Sequence, residues 1–284
     1  MVQIDGNRSV SSWQLVRRGC GFRAVLCSSV QFAPESPARS VSVVVLSPLA
    51  DKSTLPVAAR LLRRFVPSVA SVQAIHFEYT PDKSLFYDQS ARGGVDCDVL
   101  VEYSTDDDAP ALLAIETKFV EPEFSICGFR RATNDEKHPT RRCPPDVVVG
   151  DDEAVCRYAS KKHYKYWEQA KRLKTLDFDK VKKLPCPFGG TLWQLWVNHT
   201  LVHAEADRRN AHKAVFAVCA PRGNNTLLRD GRVLSDFSAL VAARDSVAFI
   251  PVEDVIESLR SMGSIAGIGC DDWAHRLAAR YIIP

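Results

Sequence analysis

The chain has 284 residues, of which 46% are hydrophobic and 25% charged, with a formal net charge of +3. That balance belongs to a globular protein and excludes a disordered or fibrous chain. A net charge this small does not demand a nucleic-acid partner, and the longest apolar runs, such as Val41 to Leu46, are far too short to cross a bilayer.

In chain order, the opening from Met1 to Gly21 is mixed in character. It has no charged start followed by an apolar run, so no signal peptide is expected. Val41 to Leu46 reads as a buried strand. Leu55 to Phe65 places Leu55, Ala58, Ala59, Leu62 and Phe65 at helical spacing, and Pro67 ends that helix. Val72 to Tyr79, Asp98 to Tyr103 and Ala111 to Val120 are strand candidates, the last two joined as a hairpin across Asp106, Asp107, Asp108 and Pro110. Residues 127–150, with Pro139, Pro144 and Pro145, read as an irregular insertion. Helices are predicted over Glu153 to Leu173 and Thr191 to Ala206, strands over Ala214 to Ala220 and Ser246 to Val252, and short helices near Val255 to Met262 and Asp271 to Arg280. Strands alternate with helices, so the fold class is α/β. No linker divides the chain, and a single domain over residues 1–284 is expected.

The segment Gly93 to Glu121 carries the chemistry. Asp98 opens one strand, and Glu116 and Lys118 stand near the end of the next. Residues two apart on a strand share a face, so Glu116 and Lys118 project together and Thr117 points the other way. The run Leu112, Leu113, Ala114 and Ile115 marks that strand as central and covered on both faces. A charged pair there is costly to bury unless something compensates it. Two carboxylates on adjacent strands supply hard oxygen ligands for Mg²⁺ or Mn²⁺, with water completing the shell. Such an ion stabilises charge on a phosphodiester, and a neighbouring lysine orients or helps deprotonate the attacking water. A plain surface ion pair would give the same string. Asp96, of the same parity as Asp98 but ahead of the apolar run, is the reserve aspartate.

Together these strings resemble the restriction-endonuclease-like PD-(D/E)XK nucleases. The motifs are His76-Phe77-Glu78-Tyr79, the Asp98 to Tyr103 strand ending in Val-Glu-Tyr, Ile115-Glu116-Thr117-Lys118-Phe119-Val120-Glu121, Gln194-Leu195-Trp196-Val197-Asn198-His199, and Ala217 to Asn225. They fall in the family's order over about residues 46–228. The resemblance implies a mixed β-sheet flanked by helices, Mg²⁺-dependent cleavage of DNA, a catalytic triplet of Asp98, Glu116 and Lys118, and a setting in restriction or phage defence. It is compatible with a homodimer or a larger defence complex in the cytoplasm. Val197 stands where many members have arginine, Phe119 where tyrosine is usual, and no glutamate occupies the first helix.

Further candidates are weaker. Glu78 and Glu121 are extra carboxylates near the triplet, and Gln194, by the same resemblance, is an active-site neighbour; solvated strand ends and helix capping are the alternatives. His199 reads as a packed histidine. Residues 157–183 hold ten basic and three acidic residues, interleaved with Tyr158, Tyr164, Tyr166 and Trp167. Lys161, Lys162, Lys165, Lys171 and Arg172 are therefore candidates for DNA phosphate contacts, against the reading of a solvated helix face with aromatics packed inward. Nine cysteines without a CxxC pair argue for reduced thiols. Cys127, His138, Cys143, Cys156 and His163 are possible zinc ligands, but their spacing matches no standard pattern, which favours free cysteines around a loop. The rival functions are a catalytically silent nuclease fold that binds DNA or a partner, a nuclease for RNA or for branched or single-stranded DNA, and a structural protein with no nucleic-acid role.

Overall fold

The structure, a computed structural model, describes residues 46, 49–88, 95–130, 143, 146–149, 152–265 and 268–281. The opening segment, residues 41–45 of the first strand candidate, His138 and most of the 127–150 insertion lie outside these residues.

Helix α1 (Leu55–Leu62) begins with proline in its first turn, where a missing N–H costs nothing, and buries Val57, Ala58, Ala59, Leu61 and Leu62. Strands β1 (Ser71–Tyr79), β2 (Cys97–Ser104) and β3 (Pro110–Thr117) follow. Helices α2 (Arg157–Lys162), α3 (Tyr166–Arg172), α4 (Phe178–Val181) and α5 (Leu192–Arg208) lead to β4 (Lys213–Ala220). Helices α6 (Asn225–Leu228) and α7 (Arg232–Ser238) precede β5 (Val247–Pro251), and α8 (Val252–Met262) and α9 (Cys270–Tyr281) close the chain around a small hairpin, β6 (Ser264–Ile265) and β7 (Ile268–Gly269).

The main sheet runs β1-β2-β3-β4-β5. Its first three strands form an antiparallel meander, whereas β4 and β5 are parallel to β3. It is the expected α/β architecture, a mixed sheet flanked by helices. Alternation sorts the side chains into two cores. Leu100, Leu112, Ala114, Phe216 and Val218 pack against α3, α5 and α7. Val99, Val101, Leu113, Ile115, Val215 and Ala217 pack against α1, α8 and α9. Strand β3 sits between them, buried from Ala111 to Thr117.

The helix expected over Glu153 to Leu173 is broken in two. His163 closes α2 in the left-handed region at φ 58°. The break lets Tyr158 stack on Tyr164, with ring centroids 5.4 Å apart, although residues six apart lie on different sides of a continuous helix. Strand β3 also ends earlier than Val120. The Glu121 carboxylate takes the Phe119 and Val120 amides at 2.9 and 3.1 Å, which draws them off the sheet.

Candidate active site

Asp98, Glu116 and Lys118 share the parity of Leu100, Leu112 and Ala114, and so face α5. The β2–β3 register pairs Val99 with Ile115, which sets Asp98 across from Glu116 at the open end of the hairpin. Glu116 is 3% exposed, the one charged side chain on a strand of apolar neighbours. Lys118 Nζ lies 2.7 Å from Glu116 Oε1. Gln194 Nε2 donates to the same oxygen at 2.5 Å, and Asn198 Nδ2 donates to Oε2 at 2.7 Å. Gln194 and Asn198 stand one turn apart on α5, so one helix face clamps the carboxylate.

Asp98 is held differently. Its Oδ2 accepts the Thr117 amide at 2.7 Å and the Thr117 hydroxyl at 2.5 Å. Although Thr117 belongs to the opposite face, it stands at the end of β3 and its short side chain reaches round to Asp98. The segment after Lys118 is pinned from β4. The Lys118 amide donates to Cys219 O at 2.9 Å, and Asn224 Nδ2 donates to Glu121 O at 3.0 Å. Gln194 also accepts the Ser125 amide at 2.9 Å, which ties that loop to the site.

Burial, and after it the Asp98 charge, push the Glu116 carboxyl up to about 8. Burial alone would pull the Lys118 ammonium down, but the Glu116 carboxylate, its hydrogen bond and Asp98 outweigh it, and the lysine is raised. The Glu116 shift chiefly reports burial, and the Lys118 shift reports two carboxylates, Glu116 and Asp98, close to one ammonium. That is a donor set suited to a hard divalent cation. Among the described residues no group of three or more His, Cys, Asp or Glu is placed to hold a metal.

Of the residues expected from the sequence, Glu116, Lys118 and Gln194 are in contact, with Asp98 across the ladder from Glu116. Asn198 was not among them, although the i, i+4 spacing from Gln194 carried the signal. Nor was Thr117, which alternation assigned to the far face. Glu78 is exposed at the end of β1 with φ 50°, between the register pairs Phe77–Val99 and Tyr79–Cys97, and so beside Asp98 across the ladder. Glu121 faces the Phe119 and Val120 amides, with its charge still felt by Lys118.

The basic stretch divides. Lys165 pairs with Glu168 at 3.4 Å, Lys171 with Glu153 at 3.8 Å and Arg172 with Asp207 at 2.9 Å. Lys161 and Lys162 are exposed on α2, and no acidic partner for them occurs among the described residues. Tyr166 and Trp167 are buried in the core, and Trp167 meets Trp196 at 4.6 Å. Those two aromatics pack inward.

The sequence model of the PD-(D/E)XK nuclease superfamily matches residues 44–140 and 152–283. The chain belongs to that superfamily. Members of the PD-(D/E)XK superfamily are generally nucleases and typically use divalent metal ions. Searches of curated proteins and of solved structures give no significant match. No helix among the described residues is long and apolar enough to cross a membrane.

Proposed function

We propose that the protein is a divalent-metal-dependent endonuclease that hydrolyses DNA phosphodiester bonds, with Asp98, Glu116 and Lys118 as its catalytic residues. The supporting observation is the Lys118–Glu116 contact of 2.7 Å beside Asp98, on one face at the end of β3. Asp98 and Glu116 would hold Mg²⁺ or Mn²⁺. Such an ion supplies a Lewis acid for the phosphodiester and lowers the pKa of the attacking water. Gln194 and Asn198 fix the plane of the Glu116 carboxylate, and Thr117 fixes Asp98. Lys118, held as an ammonium, donates to the attacking water and offsets the negative charge that builds on phosphate; its raised pKa makes it a donor rather than a resting base. Glu121 and Glu78 lie at the rim of this arrangement. Lys161 and Lys162 contact DNA phosphates from α2, whereas Lys165, Lys171 and Arg172 are engaged by carboxylates. The restriction or phage-defence setting is carried by the motif resemblance.

The test is cleavage of plasmid, single-stranded, nicked and RNA substrates with Mg²⁺ or Mn²⁺. The expected result is DNA cleavage that falls about a hundredfold or more in Lys118→Ala and Asp98→Asn. No cleavage of any substrate by the wild type, or full activity in Lys118→Ala, overturns the reading.

A further inference from the structure

Four cysteines outside the catalytic face converge from four separate stretches of chain. Cys127 follows β3, Cys143 lies in the insertion, Cys156 precedes α2 and Cys186 precedes the turn Pro187–Gly189. The backbone ties these stretches together. The Cys143 amide donates to Phe129 O at 3.0 Å, and the Cys186 amide donates to Val147 O at 2.7 Å. The Gly128 amide donates to the Tyr158 hydroxyl at 3.1 Å, and the Phe129 and Tyr158 rings meet edge-on at 4.8 Å. Gly189 sits so close to Arg130 that a Cβ there would lie 2.6 Å from its Nε. All six pairs among the four thiols are near enough for charge on one to oppose charge on another.

Burial raises the Cys127, Cys156 and Cys186 thiols, and backbone amides offset part of that rise. Backbone amides two residues on lie toward three of the sulfurs: Phe129 toward Cys127, Tyr158 toward Cys156 and Phe188 toward Cys186, with Ala159 also turned to Cys156. Arg130 adds positive charge beside Cys186. None of the four is in a disulfide. Buried sulfurs gathered with backbone amide donors are the surroundings that metal-bound thiolates take.

We propose that Cys127, Cys143, Cys156 and Cys186 form a structural zinc site that clamps the loop after β3 to α2 and to the turn before α5. Four sulfur ligands in a closed tetrahedron suit Zn²⁺, which is redox-inert and takes such a set in structural sites. In this structure no three of the sulfurs stand as a metal-holding group. One Zn²⁺ replaces four thiol protons, leaving a centre of charge −2 that the amides and Arg130 face. The centre crosses a region with no helix or strand among the described residues from 118 to 152, where cross-linking gains most. Cys186 was absent from the sequence candidates because it lies 30 residues beyond Cys156, and His138 lies outside the described residues.

The test uses the full-length chain expressed without a histidine tag. Elemental analysis is expected to give about one zinc per chain, unchanged by Asp98→Asn and lost in Cys143→Ser/Cys186→Ser. Wild-type protein stripped of metal and reloaded with Co²⁺ is expected to show intense sulfur-to-cobalt charge-transfer absorption. That reading needs no variant to fold, and carboxylate ligands at the catalytic face do not produce it. Metal-free protein with four freely reactive thiols and no such absorption on Co²⁺ addition overturns the proposal, as does a disulfide between any two of the four.

Discussion

Each oxygen of Glu116 is spoken for, and that decides what its neighbours are worth. Among the described residues Asn198 is the sole amide on Oε2, at 2.7 Å, and both side chains are buried. Removing one partner of a buried charged acceptor leaves it unsatisfied, at a cost of about 1–3 kcal/mol. Asn198→Ala is therefore expected to lower the unfolding free energy from urea titration by that amount in metal-free protein, and to raise the Mg²⁺ concentration needed for half-maximal cleavage. An unchanged Mg²⁺ requirement would show that Asn198 does not position the carboxylate. At this scale the sequence was informative where chemistry follows alternation. That Glu116 and Lys118 lie together was legible because residues two apart on a strand share a face, whereas Asp98, of the same parity as Asp96, was preferred for its place at the start of the apolar run and for the motif resemblance. Thr117 was not legible, since its contact with Asp98 depends on where β3 ends, and the Glu121 carboxylate sets that end through the Phe119 and Val120 amides.

Among the elements, α5 carries both the clamp on Glu116 and a histidine pair one turn further on. The Ser246 hydroxyl donates to Ala243 O at 2.5 Å, so His199 Nε2 must be the donor in its 2.8 Å bond to Ser246. His199 Nδ1 and His203 Nε2 then face each other's neighbourhood without hydrogen-bond partners among the described residues, their rings 4.5 Å apart. Burial pushes His203 down to about 4, and burial followed by His203 holds His199 well below its ordinary range. The unfolded chain takes up protons at these histidines below about pH 6.5. The folded chain resists them, so their stability contribution is whole above that pH and is lost as pH falls from 6.5 towards 4. For His203 alone the shift amounts to about 3 kcal/mol. His203→Gln is expected to flatten the fall of the urea midpoint between pH 7 and 4.5; an equally steep fall would assign acid lability to other groups. Element types were legible from periodicity for β2, β3, β4 and α5. The break at His163 was not, because no periodic pattern records the left-handed residue there or the stacking of Tyr158 on Tyr164 that accompanies it. Helices α4 and α6 are four residues each, too short to show a period, and begin on side-chain caps from Asp177 and Asn224.

For the whole molecule, a net charge of +3 says little, and the local surplus between residues 157 and 183 is smaller than it reads. Lys165, Lys171 and Arg172 meet carboxylates, two of them on Glu153 and Asp207 from outside that stretch, so folding spends part of the surplus internally. Which of the five named cations stay available is a property of the tertiary structure, because the partners Glu153 and Asp207 lie outside the stretch. Lys161 and Lys162 remain on exposed α2. If the protein binds duplex DNA through them, each phosphate contact contributes roughly 0.9 to the slope of log affinity against log salt concentration. Lys161→Ala/Lys162→Ala is expected to reduce that slope by up to about two contacts' worth, with the thermal midpoint unchanged because neither side chain holds an ion pair among the described residues. Arg172→Ala should do the reverse, moving stability through its 2.9 Å bond to Asp207 and leaving the slope nearly intact. A double lysine variant with the wild-type slope would remove α2 from the DNA path and leave the catalytic face as a reading to be judged on cleavage alone.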